Sequence, residues 1–179
     1  MRVTHLLNAA SLLGLAFFSL AQPLPITTTP PKTVAQAFFS ADGKLIVTNT
    51  DKTVRIWDAQ TSKPLAHIGT WRLASFKYGD THQWSEVPND QKRIKLITPT
   101  HFTWVAYEAA TGKVLSNAGG RYTLRGSNYV ETIEYTGEGM TDYLGKQQSF
   151  TIKVETDTLG QSGQLSDGLK IDEVWSRVK

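Results

Sequence analysis

From residue 69 onward, apolar and polar positions alternate in short runs separated by turn residues, the period-2 signature of strands with one buried face. The pattern predicts strands over 70–78, closed by Gly79-Asp80, over 93–97, closed by Thr98-Pro99-Thr100, and over 101–107. Further strands are predicted over 113–116, 121–124, 129–135, 146–156, 163–167 and 169–178. The polar stretch 82–91 turns at Pro88-Asn89-Asp90 and reads as a loop. Gly119-Gly120 marks a bulge or sharp corner, and 137–145 holds one helical turn. About eight to ten short strands with hairpin-length links predict an all-β fold, a small antiparallel up-and-down barrel.

Upstream, 34–68 pairs apolar runs with two turn signals, Asp42-Gly43 and Thr50-Asp51-Lys52, and reads as a separate β-meander. No linker separates Ile68 from Gly69, so the two parts are not expected to behave as independent beads. Residues 22–32 form a Pro/Thr-rich spacer, extended by composition. Residues 1–21 read as a secretory signal peptide. Arg2 supplies the positive end, 6–20 the apolar run, and Ser19-Leu20-Ala21 the small residues before a cleavage at Gln22. The apolar run is shorter than the ~20 residues of a membrane span, so no stable span is expected after cleavage.

Composition adds a compartment. There is no Cys among the 179 residues, which excludes a lipid-anchoring cysteine and any disulfide. An exported domain of this kind is held by its core alone, and the expected address is secreted or periplasmic in a bacterium. The charge is +3, and about +2 without Arg2, with no Lys/Arg block. That is too little to expect nucleic acid as a partner.

Two resemblances sharpen the pattern. Gly69-Thr70-Trp71 opening the meander, with Arg177 in the last strand, resembles the lipocalin-like (calycin) barrels. Three stretches, 95–105 (Lys-Leu-Ile-Thr-Pro-Thr-His-Phe-Thr-Trp-Val), 118–122 (Ala-Gly-Gly-Arg-Tyr) and 129–135 (Tyr-Val-Glu-Thr-Ile-Glu-Tyr), resemble a lipocalin-like domain family of exported bacterial proteins, over 69–179. The resemblance implies a small barrel with an internal cavity, Trp71 plugging one end and Arg177 lying across its ring. It implies no activity. Residues 37–47, 50–58 with Trp57-Asp58, and Thr61-Ser62-Lys63-Pro64-Leu65 resemble one WD repeat. A propeller needs 4–8 blades, and no second copy is present. The blade-like segment, 33–68, therefore packs on the barrel, pairs with another chain, or is the remnant of a fusion.

Alternation places His101, Thr103, Val105 and Tyr107 on one face of their strand, and Phe102, Trp104 and Ala106 on the other. Tyr129, Glu131, Ile133 and Tyr135 share a face, as do Ile171, Glu173, Trp175 and Arg177. If Arg177 points inward, the candidate ligand-binding residues are Tyr129, Glu131, Glu173, Tyr107, and His101 or Trp104, aromatic walls with a few convergent polar groups. Against this stands the bland assignment of the same residues: an Arg177–Glu173 structural ion pair, solvated glutamates and core aromatics. There is no phosphate loop, nucleophile elbow or paired His at helical spacing, so no catalytic residue, cofactor or metal is assigned. Haem through His101 or His82, and acid–base work by Glu131/Glu134 or Asp172/Glu173, are the least supported options. The first expectation is a non-enzymatic binding protein for a small apolar ligand. The alternative is an interaction or structural module whose partner is another protein or a second copy of the chain, met through 34–68.

Overall fold

The computed structural model describes residues 36–50 and 53–178. The expected leader, 1–21, and spacer, 22–32, lie outside the described residues. The elements are β1 (Gln36–Phe39), β2 (Leu45–Asn49), β3 (Val54–Asp58), β4 (Gly69–Tyr78), β5 (Ser85–Glu86), β6 (Gln91–Ile97) and β7 (His101–Glu108), followed by β8 (Val114–Arg125), β9 (Asn128–Thr136), a 3-10 turn (Thr141–Tyr143), β10 (Gln147–Glu155), β11 (Thr158–Gln164) and β12 (Lys170–Arg177). The described residues up to Pro64 and those from Leu65 form two compact units.

In the first unit, β1, β2 and β3 make an antiparallel meander. Its first hairpin turns where Asp42-Gly43 predicts. Gly43 takes φ +69°, and the Ser40 hydroxyl donates to Asp42 Oδ1 at 2.6 Å. Trp57 is buried and its indole N–H donates to the Thr48 hydroxyl at 2.8 Å. Phe38 and Phe39, on β1, are exposed.

In the second unit β4 and β6 to β12 run antiparallel in sequence order, and β12 pairs back onto β4, closing an eight-stranded barrel. The chain thus forms the all-β, up-and-down barrel that the alternation predicts. Closure leaves none of these eight strands as a free edge, and β5 is a short addition to β4. The stretch 82–91, expected as a loop, holds the short β5 and the first residue of β6, and two further boundaries differ from expectation. The strands expected over 113–116 and 121–124 are one strand, β8, interrupted by a bulge. The strand expected over 163–167 is β11, starting at Thr158, because the preceding hairpin turns at Thr156-Asp157 with Thr156 at φ +46°. That turn carries none of the usual glycine or asparagine signal.

Bulges decide which side chains enter the barrel. Opposite Val174 and Trp175, Ala74 is the extra residue in β4, so the inward set runs Trp71, Leu73, then Phe76 and Tyr78. Opposite Gly119 and Gly120, Glu134 is the extra residue in β9. This corrects one expectation: Tyr129, Glu131 and Ile133 are buried together, but Tyr135 leaves their face and covers Gly119 instead. A Cβ on Gly119 would lie 2.2 Å from the Tyr135 hydroxyl.

One barrel end is sealed by Trp71, 0% exposed, with the Arg177 guanidinium 4.1 Å from its ring centroid. A cation desolvated over an indole face contributes about 2 kcal/mol. Arg177 also donates to the carbonyls of Ala66 (2.6 Å) and Ile68 (3.1 Å), and the Trp71 indole N–H to that of His67 (2.8 Å). Gly69 sits at φ +147°, and any Cβ there would meet Arg177 Nη1 at 2.5 Å. The Gly-x-Trp spacing is therefore what lets the arginine lie flat. Behind it the buried His67 imidazole contacts the Tyr122 hydroxyl at 2.9 Å, and Tyr122 donates to the Thr98 carbonyl at 2.7 Å. Burial holds His67 down to about 4, so it stays neutral at pH 7. Trp71→Ala should cost about 3–5 kcal/mol in urea unfolding, the range of buried aromatic truncations. A near-neutral result would contradict the plug.

Candidate functional site

Above the plug, side chains from several strands converge on a cavity of about 220 Å³. Its walls are mostly apolar: Trp104, Ala118, Ile133, Phe150, Ile171 and Trp175. Met140 and Tyr143 from the 3-10 turn, and Leu165 and Leu169 flanking the last hairpin, also border it. The Tyr143 hydroxyl donates to Asp167 at 2.5 Å, tying those two loops together.

The polar part of the lining is buried and charged. A cross-strand row, Trp71, Lys95, Trp104 and Ala118, sits at matching register on β4, β6, β7 and β8, so these side chains share the inner face. Lys95 is 1% exposed. Its ammonium lies 2.7 Å from Glu131 Oε1 and donates to Gln161 Oε1 at 2.7 Å. It also stands 5.5–5.6 Å from the ring centroids of Phe102, Tyr129 and Trp175. The Lys95–Glu131 contact is an ion pair, not an aligned hydrogen bond, and the Tyr129 hydroxyl likewise has no aligned partner among the described residues. Burial pushes the Glu131 carboxyl above its ordinary value, against the downward pull of Lys95. Burial, with Glu131 nearby, also drives the Tyr129 phenol far up, so it stays protonated.

A second cluster lies in the same lining. The Tyr78 hydroxyl donates to Glu173 Oε1 at 2.6 Å and accepts from Arg93 Nη1 at 2.5 Å. The Trp175 indole N–H donates to Glu173 Oε2 at 3.1 Å, and Arg93 lies 3.8 Å from Glu173. Arg93 also sits 5.4 Å from the Trp104 ring centroid. Burial and the adjacent Glu173 raise the Tyr78 phenol, against Arg93.

Of the residues singled out in the sequence, Trp104, Glu131 and Glu173 line the cavity, and Tyr129 lies under Lys95 at its base. His101 and Tyr107 do not line it. His101 is exposed, its Nδ1 2.7 Å from the Thr100 hydroxyl, because the inner face of β7 belongs to Phe102, Trp104 and Ala106. Gly69, Trp71 and Arg177 form the plug. Arg177 does not pair with Glu173. Its carboxylate neighbour is Asp157, at 3.8 Å. The sequence-adjacent carboxylate pairs are split: Glu134 pairs with Arg121 and Asp172 with Lys77, while Glu131 and Glu173 face inward. Among the described residues no three acidic or His side chains are placed to share a metal ion.

Lys95, Gln161, Gln148, Arg93 and Tyr78 line the cavity without having been picked from the sequence. On β6 the apolar Ile94 and Leu96 flank Lys95 and invite the opposite facing, yet Leu96 is 41% exposed. The only available signal was register: the partner of the plugging tryptophan must face inward with it.

No protein-family model matches the chain, and no curated protein is similar to it in sequence. Among solved structures, it is similar to a lipocalin-like protein from Bacteroides uniformis, at 15% identity and TM-score 0.46, covering 63% of this chain and 99% of that one. It is similar to an uncharacterised protein from Bacteroides eggerthii at 14% identity and TM-score 0.44, covering 62% and 98%. A redesigned β-barrel gives 16% identity and TM-score 0.42, covering 64% and 93%.

Lys95→Met should strand Glu131 in the interior and cost about 3–5 kcal/mol at pH 7, whereas Lys95→Met/Glu131→Leu should be nearly neutral. In the single variant the loss should shrink as pH falls and Glu131 takes up a proton. Urea unfolding at pH 7 and pH 5 reads both effects, and equal losses in the single and double variants would contradict a buried pair.

Proposed function

We propose that the chain is an exported binding protein that holds a small, mostly apolar ligand inside its barrel, and that it does no chemistry on it. The observation that carries this reading is the cavity of about 220 Å³, bordered by aromatic and aliphatic walls and reaching charged groups that are otherwise buried. A small number of fixed polar groups in an apolar pocket orients a ligand. Most of the polar groups present are held in place by ion pairs and hydrogen bonds with one another, an arrangement suited to orienting a ligand. Export rests on the leader-like residues 1–21.

A second reading is favoured by Phe38 and Phe39, 54% and 59% exposed on the outer strand of the small sheet. It makes the segment before Pro64 a site of self-association or protein contact. Unshielded aromatic side chains on an edge strand favour pairing with another chain.

Native mass spectrometry on protein exported and purified without detergent separates the two. The carrier reading expects extra mass that survives native conditions and leaves on denaturation. A bare monomer that takes up no apolar fluorescent probe would contradict it. A bare dimer that turns monomeric when 33–63 is deleted would favour the second reading. The deletion must stop short of Ala66, whose carbonyl receives Arg177.

A further inference from the structure

The interior charges are balanced two against two: Lys95 with Glu131, and Arg93 with Glu173. The two acids are not equally satisfied. Both oxygens of Glu173 accept hydrogen bonds, from Tyr78 and from Trp175. Glu131, 3% exposed, lines the same cavity and has the Lys95 ion pair but no aligned hydrogen bond on Oε1. Beside it, the Gln161 side chain accepts from Lys95 through its oxygen and lines the same cavity. A buried acceptor without an aligned donor and the Gln161 side chain therefore both contact the Lys95 ammonium.

Resting on the carrier reading, we propose that the ligand is a small neutral molecule with an apolar body and a hydroxyl head. The hydroxyl donates to Glu131 and accepts from the Gln161 amide or from Lys95. A hydroxyl is the simplest group that does both. A charged head would leave one uncompensated charge in a balanced, largely buried site, which is unfavourable. A pure hydrocarbon would leave the Glu131 acceptor as it is. Size limits the body. A dry cavity of about 150 Å³ takes a benzene-sized molecule, so about 220 Å³ takes one ring with a short substituent. Trp104, Ile133 and Phe150 supply its apolar contacts.

Four one-ring analogues of nearly one size test the head group: 4-ethylphenol, ethylbenzene, benzoate and phenethylamine, titrated into the full exported protein by calorimetry. 4-Ethylphenol should bind at least about tenfold tighter than the other three, the effect of one hydrogen bond to a charged group. In Lys95→Met/Glu131→Leu the preference for 4-ethylphenol over ethylbenzene should fall to near unity. If that variant does not fold, nuclear Overhauser contacts in the unmodified protein decide. The phenol ring should contact the Gln161 and Trp175 side chains, and contacts confined to the outer surface would overturn the assignment. Equal binding of ethylbenzene and 4-ethylphenol, or tightest binding by the benzoate or the amine, overturns the hydroxyl head and leaves the carrier reading standing. No binding by any of the four, with an apolar fluorescent probe still taken up, overturns this ligand class. Failure of the probe as well removes the carrier reading itself.

Discussion

The guanidinium of Arg177 lying on the Trp71 ring is the contact on which the rest of the barrel depends. It joins the first long strand to the last, and so turns a meander into a closed surface. It works only because Gly69 has no side chain and adopts a backbone angle that other residues avoid. Closure by this pair also sets register around the wall. Trp71 faces inward, so its partners across β6, β7 and β8, which are Lys95, Trp104 and Ala118, face inward too.

That register forces a lysine into an apolar interior, and the neighbouring strands answer it. Glu131 supplies the counter-charge, Gln161 an acceptor, and three aromatic rings surround the ammonium. A well-packed apolar replacement would be at least as stable, so the buried pair is weak evidence of a stabilising role. What it does supply is polarity at a fixed point inside a cavity. Function in a barrel of this kind lives in such points, because the fold itself hosts many uses.

Much of this was legible in the sequence, for identifiable reasons. Alternation and turn residues revealed the strands, and Gly69-x-Trp71 with Arg177 revealed the plug, because each signal is local or rests on one unusual residue. Glu131 was legible through its spacing from Tyr129 and Ile133. Lys95 was not, because its neighbours Ile94 and Leu96 are more apolar and only long-range register places it inside. Tyr135 was misplaced by simple alternation, and Tyr78 was not picked, since bulges at Glu134 and Ala74 shift the facing beyond them. His101 and Tyr107 do not line the cavity because a strand offers only one face to the interior, and Phe102, Trp104 and Ala106 hold it.

The most direct test of this account is a carbon-13 NMR titration of the Glu131 side-chain carboxyl in the intact protein. The account places that group in the barrel interior against Lys95, and predicts that it titrates above the ordinary glutamate range because burial outweighs the nearby cation. A carboxyl that titrates at the ordinary value, like a solvated surface glutamate, would contradict the interior placement and the register that the plug imposes.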